Sequence, residues 1–225
     1  MSVLGVERPT YYFECHGEIN TRRTLQLSKK RAEELNIKKI IIASETGLSA
    51  LEASKIFRDN VIIVVSSAAG TMVEGSIIGD LKIGIPDESV LEQLREKGIK
   101  VIRGTDPFWN LGAHTELIDT GKLGMMFYKV ISSGLHVCMT AILEATDSGY
   151  LSKGEEVIAI AGSFVGLDTA IVASGASSVD FFRDFGVLEI ICKPRNPRYS
   201  WPINQVDWRG DLKKYERFVA DSNKS

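Results

Sequence analysis

The chain has 225 residues and a formal net charge of -2 without an extended basic block, which removes the electrostatic source of non-specific nucleic-acid affinity. Its 44% hydrophobic and 25% charged residues are ordinary for a soluble globular protein, and the length is enough to bury an ample core. Cys15, Cys138 and Cys192 are odd in number and far apart, which argues against a disulfide framework or zinc ribbon. They suit a reducing cytoplasm, and with no apolar signal core or membrane-length run the expected location is cytosolic.

Tyr11, Tyr12 and Phe13 read either as an edge strand or as an apolar lid. From Asn20, a candidate cap, a helix is predicted with Leu25, Ala32 and Leu35 on one face. Lys39 to Ala43 follows as a strand whose consecutive Ile40, Ile41 and Ile42 demand cover on both faces, the mark of a central strand in a parallel sheet. Ser44, Glu45, Thr46, Gly47 and Ser49 then form a hydroxyl-rich loop opening a helix through Leu51, Ala53, Ile56 and Phe57. The unpaired N–H groups and positive dipole end of such a helix can hold a phosphate, and Thr46 or Ser49 can equally be a plain helix cap.

Val61 to Val65 repeats the buried-strand pattern. Ser66 to Gly84 reads as a long loop, and although Gly70 and Gly75 have the glycine spacing of a Walker loop, Ser76 and Ile77 stand where its lysine and hydroxyl residue belong. Pro86-Asp87 starts a helix that Gly98 stops, and Ile99 to Ile102 makes a third strand. Residues 104–134 read as an insertion, Leu135 to Ala145 as a buried helix and Glu156 to Ala161 as a fourth strand. A second glycine loop, Gly162, Ser163, Gly166, Asp168 and Thr169, leads into an expected small-residue helix. Val187 to Cys192 is a fifth strand at or near the sheet edge, ended by Pro194 and Pro197.

These elements predict a three-layer αβα, doubly wound, mostly parallel sheet of order 3-2-1-4-5 over residues 1–193. Residues 194–225 form a Pro/Arg/Trp-rich tail with a last helix striped by Leu212, Tyr215, Phe218 and Val219, packing on its own domain or on a twin in a homo-oligomer. The order sets the two glycine loops side by side at the topological switch point, where open α/β sheets bind ligands.

Ser44-Glu45-Thr46-Gly47-Leu48-Ser49-Ala50, between strand and helix, resembles the Thr-x-Ser-Gly-x-Ser/Thr-Ala loop of the pyruvate kinase C-terminal domain, which in that family binds an effector phosphate. Gly154 to Gly162 is similar to that domain's penultimate strand and glycine turn, and Asn20-Thr21 fits its first helix. The likeness covers Asn20 to Ser67 and Gly154 to Lys193, outside the middle and tail. More closely, the chain looks like stand-alone prokaryotic relatives of that domain in which bound flavin mononucleotide is known. The resemblance implies a flavin mononucleotide-binding protein of undetermined reaction, with phosphate at Ser44 to Ser49 and ring or ribityl groups near Gly162 to Thr169. Kinase activity is not implied, because the catalytic barrel is missing. Leu48 replaces a residue often basic in pyruvate kinases, which disfavours a sugar bisphosphate.

The alternative is a non-redox binding or regulatory module for a phosphorylated sugar or metabolite. A dinucleotide oxidoreductase is disfavoured, since no G-x-G-x-x-G follows the first strand. His16, His114 and His136 lack metal-site spacing, so no metal is assigned, and Ser163 lacks the nucleophile-elbow pattern. Glu45 and Asp168 are a candidate carboxylate pair. Glu45 is expected to point away from a phosphate or to accept from backbone amides.

Overall fold

The computed structural model describes residues 5–76, 79–109, 127–163 and 165–196. Its sheet begins with β1 (Tyr11–Phe13), followed by α1 (Thr21–Leu35), β2 (Lys39–Ala43), α2 (Leu48–Ile56) and β3 (Val61–Ser67). A small antiparallel hairpin, β4 (Met72–Ser76) and β5 (Gly79–Lys82), stands apart from the sheet. Next come α3 (Glu88–Glu96), β6 (Lys100–Gly104), α4 (Ser133–Asp147), β7 (Glu156–Ala161), β8 (Thr169–Ser174), the short α5 (Phe181–Asp184) and β9 (Gly186–Pro194).

The seven strands lie in the order β1-β9-β8-β7-β2-β3-β6, with β8 antiparallel to both neighbours and the other pairs parallel. This is an α/β fold with a mostly parallel central sheet and flanking helices. Ile40, Ile41 and Ile42 are fully buried, and they divide between the two cores. Ile40 and Ile42 pack with Leu25, Ala53 and Leu94 of α1, α2 and α3. Ile41 packs on the other side with Ile142 of α4 and Phe181 of α5. A β-branched run with no polar face can sit only in such a doubly covered strand.

The five predicted strands keep their relative order, but β8 enters between the fourth and fifth. The expected helix after Gly162 is therefore a strand. Thr169, Ile171 and Val172 are β-branched, every residue from Thr169 to Ala173 is buried, and Ala161 pairs with Thr169, so Gly162 to Asp168 is the turn of a β7–β8 hairpin. The loop predicted between Ser66 and Gly84 contains the β4–β5 hairpin, whose Met72 and Val73 pair with Lys82 and Leu81. β1 is an edge strand, pairing Tyr11 with Cys192 and Phe13 with Pro194, which moves β9 inward from the edge. Asn20 precedes α1 but does not cap it, since its side-chain amide donates to the Cys15 carbonyl at 2.8 Å. Most of the expected 104–134 insertion, His114 and the tail from Pro197 lie outside the described residues.

Candidate functional site

β2 and β7 are neighbours in parallel register, Ile40 opposite Ile158 and Ile42 opposite Ile160, so the two glycine loops leave the same edge of the sheet. The first is shaped by Gly47. It holds φ +80°, and a Cβ there would stand 2.6 Å from Val90 Cγ1 on α3, so an L side chain meets both strain and collision. Gly47 is the N-cap of α2 and has no side chain to bond the first turn, whereas Asp87 accepts from Ser89 N on α3 and Ser132 from Leu135 N on α4. Thr46 is exposed, its Oγ1 only 3.4 Å from Leu48 N, and Ser49 is half-buried within the helix. Ser49 is thus not the cap, and Thr46 is at best a weak one.

Glu45 does turn away from this helix end. Its carboxylate accepts from Ser66 Oγ at 3.0 Å, Ser67 Oγ at 2.8 Å, Ser67 N at 3.2 Å and Gly84 N at 3.3 Å. Ser44 is buried, and its amide donates to the Val65 carbonyl. The first loop is thus anchored toward β3 and the start of α3.

The second loop is anchored the other way. Asp168 is fully buried, and its carboxylate accepts from Gly17 N at 2.9 Å, Ser163 N at 3.3 Å and Thr169 Oγ1 at 2.9 Å. Burial raises its pKa, opposed by those donors and by the field of His16. Ser163 Oγ lies 2.8 Å from His16 Nδ1, and Thr21 Oγ1 accepts from Leu167 N at 2.9 Å. Gly162 and Gly166 pack so tightly that a Cβ on Gly162 would be 1.9 Å from the Gly166 carbonyl oxygen. Of the predicted residues, Thr21, Gly162, Ser163, Gly166, Asp168 and Thr169 come together in one knot. Asn20 stands beside it, while Ser44, Glu45, Thr46, Gly47 and Ser49 form a separate group. The proposed Glu45 and Asp168 pair is not formed, since Glu45 is bonded to Ser66, Ser67 and Gly84 and Asp168 to Gly17, Ser163 and Thr169.

The family model of the pyruvate kinase alpha/beta domain matches residues 22–173. The chain belongs to that family. The match runs through the middle of the chain, where the sequence likeness left a gap, and stops before β9.

In this member of the pyruvate kinase alpha/beta domain family, several members of the Asp168 knot were not legible by spacing. His16 and Gly17 are about 150 positions distant, and only folding brings them to Asp168. Ser132-Ser133-Gly134 carried a signal that a search for helix caps would have caught. Ser132 caps α4, Ser133 Oγ donates to the Ser163 carbonyl at 3.0 Å, and a Cβ at Gly134 would lie 2.3 Å from Thr169 Oγ1.

A third polar group was also missed. Asp106, after β6, lies 2.8 Å from His136 Nε2 and accepts from Phe108 N at 2.9 Å and Thr140 Oγ1 at 3.3 Å. One turn further along α4, Glu144 packs on Gly104, with Oε2 buried and without a hydrogen-bond partner among the described residues. Burial first, then the negative fields of Asp106, Glu45 and Asp147, push the Glu144 carboxyl up to about 7. An acid whose folded pKa exceeds its ordinary 4.5 binds its proton more tightly when folded, so the stability it contributes is greatest below pH 4.5 and is lost as pH rises to about 7. We expect that loss to be about 1–3 kcal/mol, allowing for residual solvation. Glu144→Gln should flatten this part of the curve in denaturant titrations at pH 4.5 to 8. An unchanged slope would assign the titration to another group.

No helix among the described residues is long and apolar enough to cross a membrane. Cys15, Cys138 and Cys192 are free thiols, the last two buried.

Proposed function

We propose that this domain binds a phosphate-bearing small molecule in the cytoplasm, with the phosphate at the first turn of α2, and that flavin mononucleotide is the ligand. The observation that carries this reading is the start of α2. Gly47 gives it no side-chain cap, the hydroxyl of Thr46 is exposed beside it, and the one carboxylate of the loop, Glu45, is held away by Ser66, Ser67 and Gly84. Unpaired helix N–H groups and the dipole favour an anion there. The likeness of the Ser44 to Ala50 loop to the phosphate loop of pyruvate kinases, and of the chain to flavin mononucleotide-associated relatives, supports flavin mononucleotide as the ligand.

Flavin itself, the supplier of any redox chemistry, needs a ring surface in addition to a phosphate site. The Gly162 to Thr169 turn buries Ser163, Leu167, Asp168 and Thr169, and its polar atoms serve the fold. We therefore assign that turn a structural part. Its inward orientation favours, as a second reading, a regulatory module for a smaller phosphorylated metabolite.

The test is spectroscopic. Purified protein should show visible flavin absorbance, or gain it with flavin mononucleotide and not with riboflavin. Thr46→Glu should weaken binding on the order of a hundredfold or more, through repulsion and lost charge-assisted hydrogen bonds. Its Tm should hardly move, because an acidic side chain at a helix start is tolerated. Unchanged affinity would remove the α2 start as the phosphate site. A protein that ignores the flavin but is protected by a sugar phosphate, with the same response to Thr46→Glu, would establish the second reading.

A further inference from the structure

An apolar groove of about 560 Å³ runs between the first half of α4, α5 and the first half of β9, remote from α2. Leu135 and Met139 of α4, Phe181 of α5, Phe185, and Leu188 and Ile190 of β9 line it. Around it Phe182 is 54% and Leu188 50% exposed, a concentration of large apolar side chains that a stable soluble domain covers with something. The inner part is aromatic: Phe181 stacks with Phe185 at 5.2 Å and meets Phe108 edge-on at 5.1 Å.

The same strand that lines the groove delivers the chain's remaining length. β9 runs from Gly186 to Pro194, Arg195 N donates to the Phe13 carbonyl, and Asn196, two positions beyond the strand, ends the described residues. Asn196 is six positions beyond Ile190, about 20 Å of extended chain, and residues 197–225 follow it. Within them Trp208, Leu212, Tyr215 and Val219 recur at intervals of four, three and four, a helical period with one apolar face, and Lys213, Lys214 and Arg217 fall off that face. The sixteen positions from Asn196 to Leu212 can span up to about 50 Å, so the stripe reaches the whole groove with slack.

We infer that the chain's own C-terminal segment, through the Trp208, Leu212, Tyr215 and Val219 stripe, docks in the groove between α4, α5 and β9. The pairing is apolar against apolar. The nearby carboxylates are already paired within the domain, Glu189 with Arg31, Asp180 with Arg183 and Asp184 with Lys153, so the apolar match carries the docking.

Hydrogen exchange on the full-length protein tests this. In the Leu212→Lys, Val219→Lys double variant, amides of peptides spanning Phe181 to Ile190 should exchange about tenfold faster than in the unaltered chain, while β2 and β3 keep their protection. The reciprocal variant, Leu188→Lys, should speed tryptic cleavage after Lys213, Lys214 and Arg217 by a similar factor. Light scattering should report the same mass for all three proteins. Unchanged exchange in Phe181 to Ile190, or unchanged cleavage of the tail, would overturn the inference. So would a drop from dimer to monomer in either variant, which would give the groove to a second copy of the chain.

Discussion

Asp168→Ala is expected to cost about 3–5 kcal/mol of folding stability, among the largest single-residue effects in this protein. The carboxylate takes two backbone N–H groups, from Gly17 and Ser163, and the Thr169 hydroxyl, all in a site without solvent contact. Removing it leaves those donors buried and unpaired, at about 1–3 kcal/mol for each group. Asp168→Asn is the informative companion. It preserves the volume, but one of its two positions becomes a donor facing donors, so its loss should fall between wild type and alanine. Denaturant unfolding measures both. A loss below about 1 kcal/mol for alanine would mean that the Gly17 and Ser163 amides do not depend on this carboxylate. Since the knot ties Gly17 before α1 to the β7–β8 turn, exchange of the Gly17 amide should rise with the loss of stability.

Gly162→Ala should be comparably severe, at about 3 kcal/mol or more, through a different cause. Its Cβ would sit 1.9 Å from a backbone oxygen, Gly166 O, and no side-chain rotation can relieve that overlap. The turn must open, which pulls Asp168 off its donors and misaligns Ala161 with Thr169. Gly154→Ala is the contrast. That residue has φ +76° but nothing within 4 Å of its Cβ position, so only the left-handed backbone penalty of about 1–2 kcal/mol applies. Similar losses in the two variants would show that the close approach at Gly162 relaxes freely. Neither substitution touches α2, so any ligand bound at Thr46 and Gly47 should retain its affinity in the fraction that remains folded.

Much of this architecture was legible because it rests on local pattern. Ile40 to Ile42 and Val61 to Val65 are β-branched runs without a polar face, and such runs can be satisfied only inside a covered parallel sheet. The relative order of five strands followed from crossover rules applied to those runs. The left-handed turn at Gly47 and the start of α3 at Asp87 were likewise written in turn and cap residues, and Glu45 met its predicted role as an acceptor of backbone amides. The resemblance drawn from the Ser44 to Ala50 loop led to the family that the 22–173 match establishes.

What failed locally depended on contacts distant in sequence. Gly162 to Thr169 carries the composition of a phosphate loop before a helix, yet the chain folds back as β8 because Thr169 to Ala173 finds a buried slot between β7 and β9. A five-residue run of small and β-branched side chains has no strong preference of its own, so the vacancy in the sheet decided its state. Asn20 has the residue type of a cap but spends its amide on Cys15, and Asp168 is drawn inward by Gly17 across 151 positions. The Glu144 oxygen that has no partner among the described residues lies against Gly104, where any side chain would collide with it. Sequence by itself determined the covered parallel strands, their relative order and the glycine turn that starts α2, since each is a property of a short stretch and its backbone preferences. Tertiary structure alone decided that the second glycine loop is a hairpin knotted around a buried carboxylate, because the burial and hydrogen-bond partners that select this state come from segments the stretch itself does not contain.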